Sequence, residues 1–451
     1  MNVKQFYDEA LAHGSYAILS EGEVALIDPA RDTQPYLDFA REHGAKIIAV
    51  FETHPHADFV SSHLEFYEKY GATIYINSKV GVSYPHHVMN DKEEVKIGQV
   101  TIRALYTPGH SPDHNTYLLL DEAGQPHSVY TGDTLFVGDV GRPDLREGAG
   151  MIHAKREELA HQMYHTIHQV FKKMDDKVIV YPAHGAGSLC GKNMRAETYS
   201  TIGQEKKHNW AFQVTDVNKF VDFLLNDQPF IPQYFPFDVE INRAGAAPLE
   251  ESIKGITHHH EAESLEAGVP IVDARVNMLF KKGHMKGAIN IQEGEKFETW
   301  LGSIISPNKQ FYLVVNNDAQ KERLIRRAAK IGYETHIKAT IIAPQYFQER
   351  SQILDVEDFK LHPEMYTIVD VRAASEVVGK RIFSHALNIP LAELRHRISE
   401  VPLDKAVVVH CAGGYRSAIG SSILEGMLLE TKVYDLGEEV NKFQAAAAKH
   451  S

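Results

Sequence analysis

In the first half of the chain, four short runs rich in β-branched and apolar residues each empty into a histidine or an aspartate. Lys46-Ile47-Ile48-Ala49-Val50 leads to Thr53-His54-Pro55-His56-Ala57-Asp58, and Val100-Thr101-Ile102-Arg103-Ala104-Leu105-Tyr106 leads to Thr107-Pro108-Gly109-His110. Ser128-Val129-Tyr130-Thr131 leads to Gly132-Asp133, and Lys177-Val178-Ile179-Val180-Tyr181 leads to Pro182-Ala183-His184. Runs this short and β-branched read as buried strands. His54, His56 and Asp58 cannot share one face of a helix, but on a loop leaving a strand they can turn toward one ion, with Pro55 fixing the turn. Loops at the ends of neighbouring strands share one edge of a sheet, so residues far apart in sequence can meet there as metal ligands.

The same reading gives an opening hairpin from Ser15–Leu19 and Glu23–Pro29, a helix over Gln34–His43, and a second helix over Ser62–Tyr70 that Gly71 stops. At 451 residues the chain exceeds what one core can organise, so several domains are expected. A net charge of -13 without a basic cluster argues against nucleic acid or an anionic membrane as partner and leaves small molecules. The first residues lack the apolar core of a signal peptide, and no apolar run reaches the roughly 18 residues of a membrane span, so a cytoplasmic protein is expected. Cys190 and Cys411 are the two cysteines; far apart, they suggest a reactive thiol rather than a disulfide framework.

The second half repeats itself. Ile271-Val272-Asp273-Ala274-Arg275, followed by Gly283-His284 and Ala288-Ile289-Asn290, recurs as Ile368-Val369-Asp370-Val371-Arg372, followed by Ser384-His385 and Ala386-Leu387-Asn388. Each copy continues strand, loop, helix, the alternation of a small doubly wound α/β domain. In the second copy the strand Ala406-Val407-Val408-Val409-His410 delivers Cys411-Ala412-Gly413-Gly414-Tyr415-Arg416 at a helix start. Successive backbone N–H groups of such a loop stabilise a thiolate or the persulfide it becomes, and Arg416 adds a fixed charge for a sulfonate-like acceptor. A Cys-x5-Arg loop, one residue longer than Cys411 to Arg416 here, serves phosphatases, which also fill the loop differently and add a general-acid Asp. In the first copy the corresponding strand, Gln310–Val315, runs into Asn316-Asn317-Asp318 without a cysteine, which predicts a spacer or docking surface. Pro229, Pro232 and Pro236 predict an extended strap leading out of the first domain, and His258-His259-His260 reads as linker. The expected domains are 1–240, a linker at 241–262, a cysteine-less copy at 263–350 and an armed copy at 351–451.

The four strand-end motifs, in this order, resemble the metallo-β-lactamase superfamily, which implies an αββα sandwich with a metal site at the edge of its sheets. In the superfamily's dinuclear hydrolases the first motif continues Asp-His; here Phe59 follows Asp58. A phenyl ring donates no lone pair, so a second metal would keep at most Asp58, His184 and a shared Asp133. What survives is His54, His110 and Asp133, the two-histidine, one-carboxylate set suited to Fe(II) and oxygen chemistry. His56 could add a fourth ligand and favour Zn(II). The stretch Gly132–Leu145 looks like that of persulfide dioxygenases, in which Arg142 matches a position near the thiol-carrier pocket; an internal ion pair with Asp139 or Asp144 is its other reading. Glutathione-using members carry a Tyr soon after the last histidine, whereas this chain has Gly185-Ala186-Gly187-Ser188-Leu189-Cys190-Gly191, which puts glutathione in doubt. Cys190 could face the substrate channel and hold a persulfide, or be a buried structural cysteine.

The two repeats look like rhodanese domains, with Gly413, Gly414 and Tyr415 lining the substrate site of the second. The whole order resembles the persulfide dioxygenase-sulfurtransferase fusions of bacterial sulfide detoxification. The resemblance implies one Fe(II) per chain, oxidation of a low-molecular-weight persulfide by O2 to sulfite, and sulfur carried by Cys411 between persulfide and sulfite or thiosulfate, in a homo-oligomer. Two other readings stay open. One is a Zn-dependent thioester hydrolase of glyoxalase II type fused to a sulfurtransferase; the other is a non-catalytic sulfur carrier whose metal is structural.

Overall fold

The structure is a computed structural model and describes residues 1–146, 155–259, 265–347 and 349–447. It divides into two compact units, Met1–Lys254 with Ala328–Tyr333, and Gly255–Arg327 with Glu334 onward.

Among the described residues the first unit contains two six-stranded sheets. One takes strands Asn2–Asp8, His13–Ser20, Glu23–Ile27, Lys46–Phe51, Thr73–Ile76 and His87–Val88 side by side in chain order. The other does the same with Glu94–Ile97, Val100–Tyr106, Asn115–Leu120, Pro126–Gly132, Ile179–Pro182 and Ser200–Thr201. Period-two alternation explains how they stack. Tyr117 and Leu119 point at Ile18, Ala25 and Phe51 of the first sheet. Leu118 and Leu120 point the other way, onto Ala160, Met163 and Ile167 of helix Arg156–Gln169. Ala17, Val24, Leu26 and Val50 likewise cover Tyr36, Phe39 and Phe66 from helices Gln34–Glu42 and His63–Tyr70. Both faces of each sheet are therefore buried, which is why the strands read as continuous apolar runs; the architecture is the expected αββα sandwich.

Among the described residues the second unit holds two parallel sheets. The first has the order Thr257–His259, Ile337–Ile342, Phe311–Val315, Ile271–Asp273, Ile289–Asn290; the second has the order Leu387–Asn388, Tyr366–Asp370, Ala406–His410, Val433–Asp435. Apart from the extra strand Thr257–His259, the two orders correspond strand for strand, so the repeat in the sequence is a repeat of fold. The repeated residues are its scaffold. Arg275 chelates Asp273 (2.6 Å) and Asn290 Nδ2 donates to the carbonyls of Asp273 and Arg275 (3.0 and 2.9 Å). Arg372, Asp370 and Asn388 make the same contacts at 2.6, 2.9 and 2.9 Å.

Two expectations are corrected. The strap ends before helix Phe235–Ala244, because Pro236 sits in its first turn, where no N–H is required and the fixed φ suits a helix. The stretch 241–262 is not plain linker: it carries helix Leu249–Lys254, and Thr257–His259 pairs in parallel with Ala339–Ile341. His260 lies outside the described residues. Among the described residues no helix is long and apolar enough to cross a membrane.

Leu119 lies at the seam between the sheets of the first unit. Leu119→Ala is expected to cost about 2–5 kcal/mol, read as a lower urea midpoint of the Trp210 fluorescence transition in a Trp300→Phe background.

Candidate functional site

Strands Lys46–Phe51 of one sheet and Val100–Tyr106 and Pro126–Gly132 of the other deliver His54, His110 and Asp133 to one edge of the sandwich, where one ligand atom from each lies within 4.8 Å of the others. All three are buried. Each histidine's tautomer follows from its outer nitrogen. Thr53 Oγ1 donates to Asp28 Oδ2 (2.9 Å), so it accepts from His54 Nδ1–H at 3.0 Å. His110 Nδ1–H donates to the Arg142 carbonyl (2.8 Å). Both Nε2 lone pairs therefore face Asp133 Oδ2, at 3.9 and 3.6 Å. His54 Nε2 is buried without a hydrogen-bond partner, a cost that coordination to a cation would remove. The donor set fits a metal ion.

Close approach of backbone makes this edge possible. Gly132 has φ of 50°, and a side chain there would run into His114 and Thr53; one at Gly141 would overlap the Asp133 carbonyl and crowd His110. His114 accepts the Asp133 backbone N–H at Nε2 (3.2 Å), and its Nδ1 lies 3.0 Å from the hydroxyls of Thr107 and Thr134. Burial pushes the pKa values of His54 and His114 well down, keeping both imidazoles neutral.

A second ring surrounds the three. His184 Nδ1 lies 2.7 Å from Asp133 Oδ1 and its Nε2 2.8 Å from Asp58 Oδ2. Burial disfavours the imidazolium, but the two carboxylates outweigh it and hold His184 protonated. His56 Nε2 is 3.2 Å from Asp28 Oδ1 without the alignment of a hydrogen bond. His56, Asp133 and His184 form another group of donor atoms within 4.8 Å, as do Asp58, His184 and Cys190. Phe59 fills the adjoining space, packed on His13 (ring centroids 3.7 Å apart) and His56 (4.4 Å). Cys190 is buried, and burial together with Asp58 and Asp133 pushes its thiol well up, so it is a neutral thiol beside the centre. Arg142, only 1% exposed, is chelated by Asp144 (2.7 and 2.6 Å), so its guanidinium is spent internally while its carbonyl orients His110.

In the second unit, strand Ala406–His410 presents Cys411, whose Sγ accepts the Gly414 N–H at 3.1 Å just before helix Tyr415–Met427. Gly414 adopts φ of 97°, the left-handed turn that aims this N–H inward. Arg416 is held by Glu376 through two bonds (2.5 and 2.9 Å), so its charge is shared rather than offered alone to an acceptor. In the first copy, the Asn316 N–H goes to Gln320 Oε1 (2.7 Å) and the Gln320 N–H to Asn317 Oδ1 (2.9 Å). That loop satisfies itself with side chains and keeps no nest for a sulfur anion.

Residues 10–184 match the metallo-beta-lactamase superfamily, and 258–340 and 354–446 match the rhodanese-like domain. A probable hydroxyacylglutathione hydrolase of Schizosaccharomyces pombe is 30% identical over 240 residues, 47% of this chain and 87% of that one. The persulfide dioxygenase ETHE1 of Homo sapiens is 27% identical over 223 residues, 49% of this chain and 78% of that one. The crystal structure of a metallo-beta-lactamase from Staphylococcus aureus superposes with a TM-score of 0.68 at 31% identity, covering 75% of this chain and 98% of that one. The chain belongs to the metallo-β-lactamase superfamily. Its second half consists of rhodanese-like domains. The superfamily fold, the buried donor set and the rhodanese-like pair make it a metal-binding enzyme.

The superfamily domain also uses residues that the motifs do not contain. Asp28 ends strand Glu23–Ile27, and the strand-end rule applied once more would have found it. His114 stands four residues past His110, inside the same loop. His13 carries no local signal, and neither does Asn242, whose Nδ2 donates to the carbonyls of His56 and Phe59 (2.8 and 2.7 Å) from helix Phe235–Ala244.

Thr53→Ala breaks the link from Asp28 to His54. It is expected to weaken metal binding about 10–100-fold in chelator competition, with Thr53→Ser near wild type. His63 gives a pH signature: burial first, then Arg31, lower its pKa from 6.5 to about 3. In that window the unfolded chain binds a proton that folded His63 refuses, so this contribution is complete above pH 6.5 and is lost as the pH falls toward 3. His63→Gln should flatten the acid limb of a stability-against-pH plot by about 1.4 kcal/mol per pH unit within that window.

Proposed function

We propose that the first domain is a persulfide dioxygenase and that Cys411 of the second unit is the sulfur carrier of a thiosulfate-forming sulfurtransferase. The observation that carries this reading is the donor set His54, His110 and Asp133, with the apolar ring of Phe59 packed where a further nitrogen ligand would otherwise extend the site. Ferrous iron is the group this set suits, and it would supply the electron chemistry that O2 requires. The chain's own residues do the rest. Thr53 and the Arg142 carbonyl hold both imidazoles in one tautomer, His184 keeps a proton between Asp133 and Asp58, and Phe59 with His13 excludes water from one side.

The overall reaction consumes one persulfide, one O2 and one water and releases thiol, sulfite and two protons. At the second site a Cys411 persulfide gives its outer sulfur to sulfite: the Cys S–S bond breaks, the sulfur–sulfite bond forms, and thiosulfate and the Cys411 thiolate result. The similarity to a human persulfide dioxygenase and the rhodanese-like domains on the same chain support this reading. The second donor group, His56, Asp133 and His184, and the similarity to a hydroxyacylglutathione hydrolase favour a zinc-dependent thioester hydrolase as the other reading.

Metal analysis with O2 uptake on adding a persulfide separates them. Iron with uptake is expected; zinc with thioester cleavage and no uptake would overturn the dioxygenase. His110→Ala should lose metal and uptake but keep thiosulfate formation from persulfide and sulfite, whereas Cys411→Ser should do the reverse.

A further inference from the structure

A cavity of about 1000 Å³ opens over Gly413, Gly414 and Tyr415, whose Gly414 N–H touches Cys411 Sγ. That is at the upper end of organic-ligand pockets, far more room than sulfite or thiosulfate needs. Much of its wall comes from the cysteine-less copy: Met278, Lys281 and Lys282 of helix Asn277–Lys282, with Arg350 and Ile353 from the segment that follows the copy's last strand. The wall is built into this unit. Tyr415 Oη donates to the Gln292 carbonyl (2.7 Å), and Lys281 pairs with Asp435 (2.8 Å).

The charges of this cavity divide unevenly. Lys281 is neutralised by Asp435, and Glu439 on the loop side pairs with Lys442. Lys282 and Arg350 are exposed and form no ion pair among the described residues, which leaves two free cations against the carboxylate of Glu438. Met278 (64% exposed) and Ile353 (86%) add apolar surface beside them. Cationic ends with apolar surface between them suit an organic anion.

We propose that the cysteine-less copy is the carrier-binding wall of the Cys411 site, and that Lys282 and Arg350 recognise the carboxylates or phosphates of an organic low-molecular-weight persulfide. The inference rests on Cys411 being the sulfur carrier. In the step it serves, the Cys411 thiolate attacks the outer sulfur of the bound persulfide. The carrier's S–S bond breaks, a new S–S bond forms on Cys411, and the carrier leaves as a thiol with the displaced electron pair and a proton; no oxidant is consumed.

The test uses the full chain without oxygen, so that the first site consumes no persulfide, and follows thiosulfate formation from sulfite with three donors. In K282Q/R350Q the KM for glutathione persulfide or coenzyme A persulfide, or both, should rise about tenfold, a 1.4 kcal/mol effect, with kcat within about twofold. The larger rise identifies carboxylates or phosphates as the recognised group. For cationic cysteamine persulfide, KM should not rise. An unchanged KM for both anionic donors, or an equal rise for all three, would overturn the proposal. C411S separates the two levels of inference. If C411S still transfers sulfur, the carrier reading fails and this proposal with it; if C411S is inactive and K282Q/R350Q behaves as wild type, this proposal alone fails.

Discussion

Asp133 is a carboxylate at 1% exposure, and burying such a charge costs several kcal/mol unless partners surround it. Much of the first unit's metal edge can be read as the supply of those partners. His184 gives Oδ1 a positive neighbour, and a cation held between Oδ2 and the Nε2 lone pairs of His54 and His110 would give Oδ2 another. The Asp133 main chain is fixed as well, its N–H taken by His114 and its carbonyl approached closely by Gly141. Burial opposes the Asp133 charge, but the His184 imidazolium, 2.7 Å from Oδ1, outweighs it and holds the Asp133 pKa well below the usual carboxylate range. The same neighbours have opposite protonation demands: His184 carries a proton while His54 and His114 stay neutral, and it is the neutral His54 that leaves a lone pair for a cation.

This division of labour explains what could be read from residue order and what could not. Strand ends are local, so the runs before His54, His110, Asp133 and His184 revealed the sheet edge, and Phe59 marked a departure within one motif. Asp28 follows the same rule but lies on the opening hairpin, where no second donor drew attention to it. Asn242 reaches the His56–Phe59 loop across more than 180 positions from a helix behind two prolines, and no local pattern encodes that contact. Arg142 and Arg416 show a different limit: spacing places a guanidinium near a site, but only geometry shows that Asp144 and Glu376 already hold both.

The repeat makes a related point about duplication. Asp273, Arg275 and Asn290 tie strand ends together as Asp370, Arg372 and Asn388 do, so these residues persist because they brace the sheet, whatever the loop beside them does. The copies part at the strand-to-helix loop. One aims an N–H at sulfur; the other turns its N–H groups onto Gln320 and Asn317. A copy freed from holding sulfur can still supply surface, and helix Asn277–Lys282 does so at the cavity over the Cys411 loop.

In the proposed reaction sequence the two sites are matched through one ion. Sulfite leaves the first site as product and enters the second as acceptor, while the same persulfide feeds both. Two persulfides, one O2 and one water then yield one thiosulfate, two thiols and two protons, so balanced flux requires equal turnover at the two sites. One chain carries one site of each kind whatever the level of synthesis. A carrier wall specific for an organic anion sharpens the match: the cavity would admit the persulfide as donor while leaving sulfite, small and already charged, free to reach Cys411 once the thiol has left.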